Sequence, residues 1–360
     1  MRVWIVTVVH DPLDARISVR ELSTLLEDGH DVTMAAPFSA YGRDGAAGLA
    51  ETIDIPRSSG RRRVRALWRA RAVLRDAAAR ADLVIIHDPE LLFAVWGQRR
   101  RLRGLRILWD VHEDVPTLVE SRSWIPGWVA TPLRSMLGRL LHWAERRVEI
   151  IVAEESYLRA FRNPHPVVAN AVTIPAQVPP PSGNRVVYVG RVTLQRGAME
   201  MLELGRRLAA DARVVVMGPA DAALTAALEA ATARGEVEWR GFVPNDEALA
   251  EIEGAIAGLS LLHDVPNYRH SLPTKLAEYG AHGVPIITTP NPSSTAFVDH
   301  AGAGIVVPFN DDDALEQAVR ELLANPSRAA TLAAAGRATA SDLYDWGKAA
   351  ETFRAAVAGR

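Results

Sequence analysis

Short apolar runs of strand length alternate with amphipathic stretches of helix length along almost the whole chain. In the first half Val3–Val9, Val32–Ala36, Leu83–His87 and Ile107–Val111 read as strands, and Ile17–Glu27, stopped by Gly29, reads as a helix. Thr131 is positioned to cap a further helix with Pro132 in its first turn and apolar residues at 133, 136, 137, 140 and 141. In the second half the strand-like runs are Val186–Val189, Val214–Met217, Val237–Trp239, Leu259–Leu262, Pro285–Thr288 and Ile305–Val307. Repeated β-α units can only pair as parallel sheets with helices packed on both faces. A chain of 360 residues suits two such domains. The stretch Asn170–Asn184, with Pro175, Pro179, Pro180, Pro181 and Gly183, predicts a stiff linker between them, hinged near 168–184. The expected fold class is therefore α/β, two doubly wound Rossmann-like domains. Ligands in such sheets lie beyond the carboxyl ends of the strands.

Composition removes several function classes. There is no cysteine, which excludes disulfide, thiolate and Cys-zinc chemistry and fits a reducing, cytoplasmic setting. The early apolar run Val3–Val9 ends at His10–Asp11, too short for a signal peptide or a membrane span. The net charge of −2 divides into +4 over residues 1–150 and −6 over 151–360, and residues 57–106 alone carry +10, all of it from arginine. No aromatic stacking pattern accompanies those arginines and the chain is net acidic, so nucleic acid is not an expected partner. Ser121–Arg147 interleaves Trp124, Ile125, Trp128, Leu133, Leu137 and Trp143 with arginines. With the basic segment, it makes an anionic membrane surface a candidate partner for a peripheral protein.

The segment Arg269–Thr288 carries the most chemistry. Ser271 and Pro273 are helix-start residues, and a helix N-terminus favours a phosphate. Glu278 lies five residues past Pro273, about 7.5 Å along a helix, roughly the distance from a diphosphate to a ribose. Its carboxylate can accept two hydrogen bonds from a diol. Gly283–Val284–Pro285 ends that helix ahead of a buried strand. Two acidic groups are set aside. Asp311–Asp312–Asp313 opens an amphipathic run and reads as a helix N-terminus. Asp110, His112 and Asp114 lack a second cluster to complete a metal site.

An ordered series of short motifs then converges. His10–Asp11–Pro12 with Asp14–Ala15–Arg16, His87–Asp88–Pro89–Glu90, and Trp109–Asp110–Val111–His112–Glu113 occur in the first half. Tyr188–Val189–Gly190–Arg191 with Arg196–Gly197, Gly241–Phe242–Val243, and Pro273–Thr274–Lys275–Leu276–Ala277–Glu278 follow. In this order they resemble a GT-B fold glycosyltransferase of the retaining family 4 type, close to members that act on bacterial surface polysaccharides. The likeness runs over nearly the whole chain. It implies two Rossmann-like domains facing each other across a cleft: residues 1–168 on the acceptor side, rejoined by a C-terminal helix at 342–360, and residues 169–341 on the nucleotide-sugar side.

The resemblance implies that Arg191 and Arg196, beside Gly190, grip a donor diphosphate, the second arginine standing where the family has lysine. It implies that backbone near Phe242 and Val243 meets the base. Ser271, Leu272, Pro273, Thr274 and Lys275 would lie at the phosphates, and Glu278 at the ribose. His270 stands where the family places a first glutamate, and the loop after the first strand lacks the usual glycines. His112 is expected to contact the donor sugar and Glu113 to orient or polarise the acceptor hydroxyl. No cofactor and no metal are expected, since arginines and a helix terminus would neutralise the diphosphate. The implied reaction moves a sugar with retention from a nucleoside diphosphate sugar, UDP by family frequency. The acceptor is a hydroxyl on a lipid-linked saccharide or a natural product. The rival reading is a catalytically degenerate GT-B protein that binds a sugar nucleotide or a partner.

Overall fold

Every apolar run contributes to one of two six-stranded parallel sheets. The computed structural model describes residues 1–45, 48–98, 100–112, 127–265, 268–269 and 272–360, without the side chains of 127–134. The chain divides into two compact units, Met1–Asn170 with Trp346–Arg360, and Ala171–Asp345.

In unit 1 the strands are β1 (Arg2–Val6), β2 (Asp31–Ala36), β3 (Glu51–Asp54), β4 (Leu83–Ile86), β5 (Arg106–Val111) and β6 (Glu149–Val152). They run in the order β3-β2-β1-β4-β5-β6. The winding reverses between β1 and β4, where Val3 registers with both Val32 and Leu83. All four residues of β4 are buried, as expected of a strand covered on both faces. The helices are α1 (Ser23–Glu27), α2 (Arg63–Arg80), α3 (Leu91–Trp96) and α4 (Gly127–Ala144). Helix α2 buries Ala66, Ala70, Val73, Leu74 and Ala77 at helical spacing and turns its arginines outward. Leu140, Leu141 and Ala144 of α4 join the core.

Several boundaries differ from expectation. Strand β1 stops at Val6 instead of Val9 because the Asp88 carboxylate takes Thr7 Oγ1 and Val8 N, at 2.9 and 2.6 Å. The expected helix Ile17–Glu27 begins as a π-helix, Ala15–Leu22, before narrowing into α1. Asp14 caps it, accepting from the backbone N–H of Arg16 and Ile17. The wide turn lets Arg16 and Glu21, five apart, share one buried face. Helix α4 starts at Gly127, so Thr131 is not its cap and Pro132 lies inside it.

In unit 2 the strands are β7 (Arg185–Val189), β8 (Arg213–Met217), β9 (Val237–Trp239), β10 (Ala257–Ser260), β11 (Ile286–Thr288) and β12 (Gly304–Val306). Their order, β12-β11-β10-β7-β8-β9, is the same winding, with its reversal between β7 and β10. The helices are α5 (Ala198–Leu208), α6 (Ala222–Ala233), α7 (Asn245–Ile252), α8 (Thr274–Ala281), α9 (Pro292–Ala301), α10 (Asp312–Ala324) and α11 (Pro326–Leu343). Asp311 caps α10 through Ala314 N, the role assigned to the acidic triplet. Pro273 is the residue before α8 and not in its first turn.

The stiff proline-rich stretch is also packed. Val172 is buried and its N–H donates to Tyr344 O at 2.6 Å, and Arg337 donates to the carbonyls of Pro175 and Ala281. A Cβ on Gly283 would touch Val178, and one on Gly254 would touch Pro179. The prolines pre-pay the entropy of an extended path laid over unit 2. After Asp345 the chain enters α12 (Trp346–Val357) of unit 1. There Trp346 Nε1 donates to Thr24 Oγ1 at 3.0 Å, and Arg106 Nη1 donates to Val357 O at 2.8 Å.

Candidate functional site

The carboxyl ends of β1, β4 and β5 converge on a buried polar network. Arg16 forks onto Asp110, Nε to Oδ2 and Nη2 to Oδ1, both at 2.7 Å. Its remaining donors reach Val168 O and Asn170 Oδ1 at 3.0 Å. Glu21 lies 3.4 Å from Arg16 and 2.9 Å from His87 Nε2. Burial opposes the charge on Asp110, but Arg16 and His112 outweigh it and hold its pKa well below the usual carboxylate range. Burial and the neighbouring Asp110 raise the pKa of Glu21 against the pull of His87 and Arg16. Asp14 thus caps backbone, and the partner of Arg16 lies on β5.

His112 follows β5, with 10% of its side chain exposed. Burial lowers its pKa, yet Asp110, 3.4 Å from Nδ1, more than offsets this and raises it to about 9. Its Nε2 meets Nε2 of His10 at 2.9 Å. A cationic His112 donates there and His10 accepts, and His10 Nε2 also lies 3.3 Å from Asp88 Oδ1. The two imidazoles are the part of the network that reaches solvent. His112 is thus a cationic hydrogen-bond donor on a rigid strand end. Glu113, the acid expected beside it, lies outside the described residues, as does Asp114.

Among the described residues Glu21, His87 and Asp110 could present metal ligands within 4.8 Å of one another. The Arg16 guanidinium already supplies the cation that these carboxylates hold, and a divalent ion there would face its charge at contact range.

In unit 2 three neighbouring strand ends, of β7, β8 and β9, lead into glycines with positive φ: Gly190, Gly218 and Gly241. A Cβ on Gly218 would lie 1.9 Å from Gly190 O, so only glycine lets these loops approach. Gly218 was not marked from sequence; the only signal was a glycine directly after the run Val214–Met217. Gly197 is similarly required, since a Cβ there would lie 2.4 Å from that of Leu261. It ends the 3-10 turn Leu194–Arg196 and fixes where Arg196 starts.

Arg196 and Lys275 meet at Gly190. A Cβ on that glycine would sit 3.6 Å from Lys275 Nζ and 4.0 Å from Arg196 Nη1. Lys275 is buried in the first turn of α8, its amine 3.7 Å from the Tyr188 ring centroid and with no hydrogen-bond partner among the described residues. Burial, then Arg196, pushes its pKa well below the ordinary lysine value against the pull of Glu278. Burial lowers the pKa of Arg196, but the Tyr268 and Tyr188 hydroxyls outweigh it and raise it above the ordinary arginine value. Glu278 is buried one turn further along α8. Tyr279 hydroxyl ties the elements together, accepting from Val189 N and donating to Leu259 O, each at 3.1 Å.

The other expected residues are less enclosed. Arg191 is 63% exposed and forks onto one oxygen of Asp221, at 3.1 and 2.7 Å. Phe242 is exposed, and Val243, Leu272, Pro273 and Thr274 are half-buried. His270 and Ser271 lie outside the described residues. His263, after β10, was not anticipated: its Nε2 pairs with Glu200 at 2.6 Å and its N–H with Gln195 O at 2.9 Å, anchoring the loop that carries Arg196. The histidine–aspartate pair His263–Asp264 was its sequence signal, as at His87–Asp88.

Comparison with known proteins agrees with this architecture. Residues 173–339 match the family of glycosyl transferases group 1, and residues 16–176 match the glycosyl transferase 4-like domain. A putative colanic acid biosynthesis glycosyltransferase, WcaL of Escherichia coli, is 26% identical over 186 residues, 50% of this chain and 43% of that protein. The match thus spans less than half of that relative. Among solved structures, sucrose-phosphate synthase from Thermosynechococcus elongatus superposes with a TM-score of 0.71 at 18% identity, covering 100% of both chains. HepE from Anabaena in complex with UDP-glucose gives 0.70 at 13%, again covering 100% of both. WaaG, a glycosyltransferase involved in lipopolysaccharide biosynthesis, gives 0.68 at 17%, covering 97% of this chain and 98% of its own. Two parallel sheets of one winding, glycine-edged strand ends and two matching family domains lead to one conclusion: the chain belongs to the GT-B fold glycosyltransferases.

Proposed function

We propose that this protein transfers a sugar from a nucleoside diphosphate sugar, with UDP as the nucleotide, to an acceptor hydroxyl with retention of configuration. The observation that carries the reading is the meeting of Arg196 and Lys275 at Gly190, at the head of α8. Two cations and a helix terminus at one backbone approach suit the charge that develops on a leaving diphosphate. A bound diphosphate would favour the charged form of the Lys275 amine and raise its pKa, so binding takes up protons below the free lysine pKa. Glu278 would take the ribose diol. His112 would donate to the donor sugar or to the leaving oxygen. These cations do the neutralising, and the reading needs no metal. HepE, with the same fold, was captured with UDP-glucose, which supports the choice of nucleotide. The colanic acid and lipopolysaccharide relatives favour a saccharide acceptor carried on a lipid over a natural product. Among the described residues no helix is long and apolar enough to cross a membrane.

A second reading, a binder without turnover, draws on the loop after β1. His10, Thr7 and Asp88 fill it with mutual hydrogen bonds where glycine backbone would leave room for phosphate. Calorimetry with UDP and GDP, followed by donor hydrolysis across UDP-, GDP- and dTDP-sugars, separates the two. The transferase predicts nucleotide binding with proton uptake and slow hydrolysis that His112→Ala lowers far more than it lowers affinity. Tight binding without hydrolysis or transfer from any donor would sustain the binder, and no nucleotide binding would remove both.

A further inference from the structure

Unit 1 holds a concavity of about 790 Å³ at the carboxyl ends of β2 and β3, beneath the start of α2. Its wall includes Arg57, Arg62, Arg65 and Arg69 together with Trp68. Arg65, Trp68 and Arg69 stand at helical spacing three and four, so α2 presents them on one face. Among the described residues these four arginines form no ion pair, although Arg63, Arg71 and Arg80 on the same helix engage Glu90, Gly97 O and Asp76. The one acid in the wall, Asp54, is held by Ser39, its oxygens taking the backbone N–H at 2.9 Å and the hydroxyl at 2.5 Å. Trp68 is 66% exposed, a large apolar ring with the Arg71 guanidinium 5.5 Å from its centroid and its remaining surface open beside a concentrated positive field.

The concavity is wired to the network at His10. Arg57 lies 4.7 Å above the Tyr41 ring, and Tyr41 hydroxyl donates to Val9 O at 2.8 Å, one residue before His10. Ser58 N donates to Val8 O at 2.7 Å on the same loop. Arg57 and Ser58 thus tie the wall of the concavity to the loop that carries His10.

We propose that this concavity is an acceptor subsite for an anionic saccharide. The arginines take its phosphate or carboxylate, and Trp68 offers its face to a sugar ring. Guanidinium forks match both anions, and a pocket of this size holds a disaccharide-sized ligand. The word acceptor rests on the transferase reading; the binding site does not.

Calorimetry on the full chain tests it, with four soluble probes: inorganic diphosphate, glucose 6-phosphate, a digalacturonate and neutral maltose. Wild type should bind the phosphorylated or the uronate sugar, or both, and not maltose; which one binds identifies the anion. Arg65→Gln with Arg69→Gln should weaken that binding at least tenfold, whereas Arg196→Ala should not. Trp68→Ala should weaken the anionic sugars but leave inorganic diphosphate unchanged. Both sets of substitutions are on an exposed helix face and leave the core intact. Equal affinity in wild type and the double variant overturns the proposal. So does binding confined to phosphatidylglycerol vesicles, which would make the face a membrane dock. If nucleotides fail to bind but anionic sugars still do, the transferase reading falls and the subsite stands. The reverse pattern removes only the subsite.

Discussion

The two units place charge at the same point of the same winding, the carboxyl ends beside the reversal, and treat it in opposite ways. In unit 1 the buried Arg16 is matched within the protein by Asp110, Glu21 and carbonyls from 168 to 170. In unit 2 the buried Lys275 has no hydrogen-bond partner among the described residues; the Tyr188 face and Arg196 lie beside it, and Glu278 attracts it without bonding to it. A buried ion satisfied by its own fold holds geometry. A buried ion left without a hydrogen-bonded partner costs stability, and a ligand of opposite charge returns that cost as affinity. Unit 1 thus reads as a rigid support for two imidazoles and unit 2 as a receptor for an anion.

The largest test of that contrast is Asp110→Asn. It removes the charge of the forked partner of a buried guanidinium and should lower unfolding free energy by about 3–5 kcal/mol in urea titrations. A loss below about 1 kcal/mol would mean the network holds nothing.

Next comes pH. The His112 pKa is about 9 in the folded chain against 6.5 as the ordinary value. Its contribution is fully present below 6.5 and is lost as pH rises through 9, amounting to roughly 3 kcal/mol. Lys275 is depressed, so the unfolded chain binds more protons and unit 2 gains stability as pH climbs toward the free lysine value. Hydrogen exchange resolved by peptide between pH 7 and 10, corrected for intrinsic rates, should show β5 loosening while α8 tightens. The same sign in both units would erase the distinction.

Third, Lys275→Met should leave stability unchanged or raised while cutting affinity for the preferred nucleoside diphosphate roughly 10- to 150-fold, the worth of a charge-assisted contact of about 1.5–3 kcal/mol. Calorimetry beside a melting curve reads both numbers, and a destabilised variant with normal affinity would reverse the assignment. The smallest effect is expected at Arg191→Ala. That side chain is exposed and already paired with Asp221, so a loss of about 1 kcal/mol or less in nucleotide affinity is predicted. A loss as large as that of Lys275 would place Arg191 at the centre of the site.

Much of this architecture was legible because parallel strands covered on both faces must be continuous apolar runs. Val84 to Ile86 and Val214 to Val216 could be little else. Two strands escaped notice. β3, Glu51–Asp54, is an edge strand of alternating exposure and lacks that signature; β6 carries it in Ile150–Val152, but over four residues directly behind a helix. The cations of unit 2 were found because Arg196 and Lys275 each sit in a local motif. The network of unit 1 was only half found. His112 marks a strand end, but Arg16 meets Asp110 across 94 residues, and no local pattern announces a pair joined by topology. The proline stretch was legible as a stiff segment but not as a packed one, because proline reports a fixed backbone and not what covers it.

The bond from Val172 N to Tyr344 O, with the parallel bridge of Val172 to Asp345, sets where unit 2 begins and ends: side by side. For unit 1 this changes the cost of acquiring its last helix. While unit 2 is unfolded, α12 must be recovered across a long disordered loop. Once unit 2 has folded, its two ends are clamped together and the loop shrinks to a few residues. The saving in chain entropy is about 3 kcal/mol by the logarithmic dependence on loop length. The inserted unit therefore acts as a folding clasp for the one that surrounds it. Unfolding unit 2 should loosen the packing of Trp346 against Thr24.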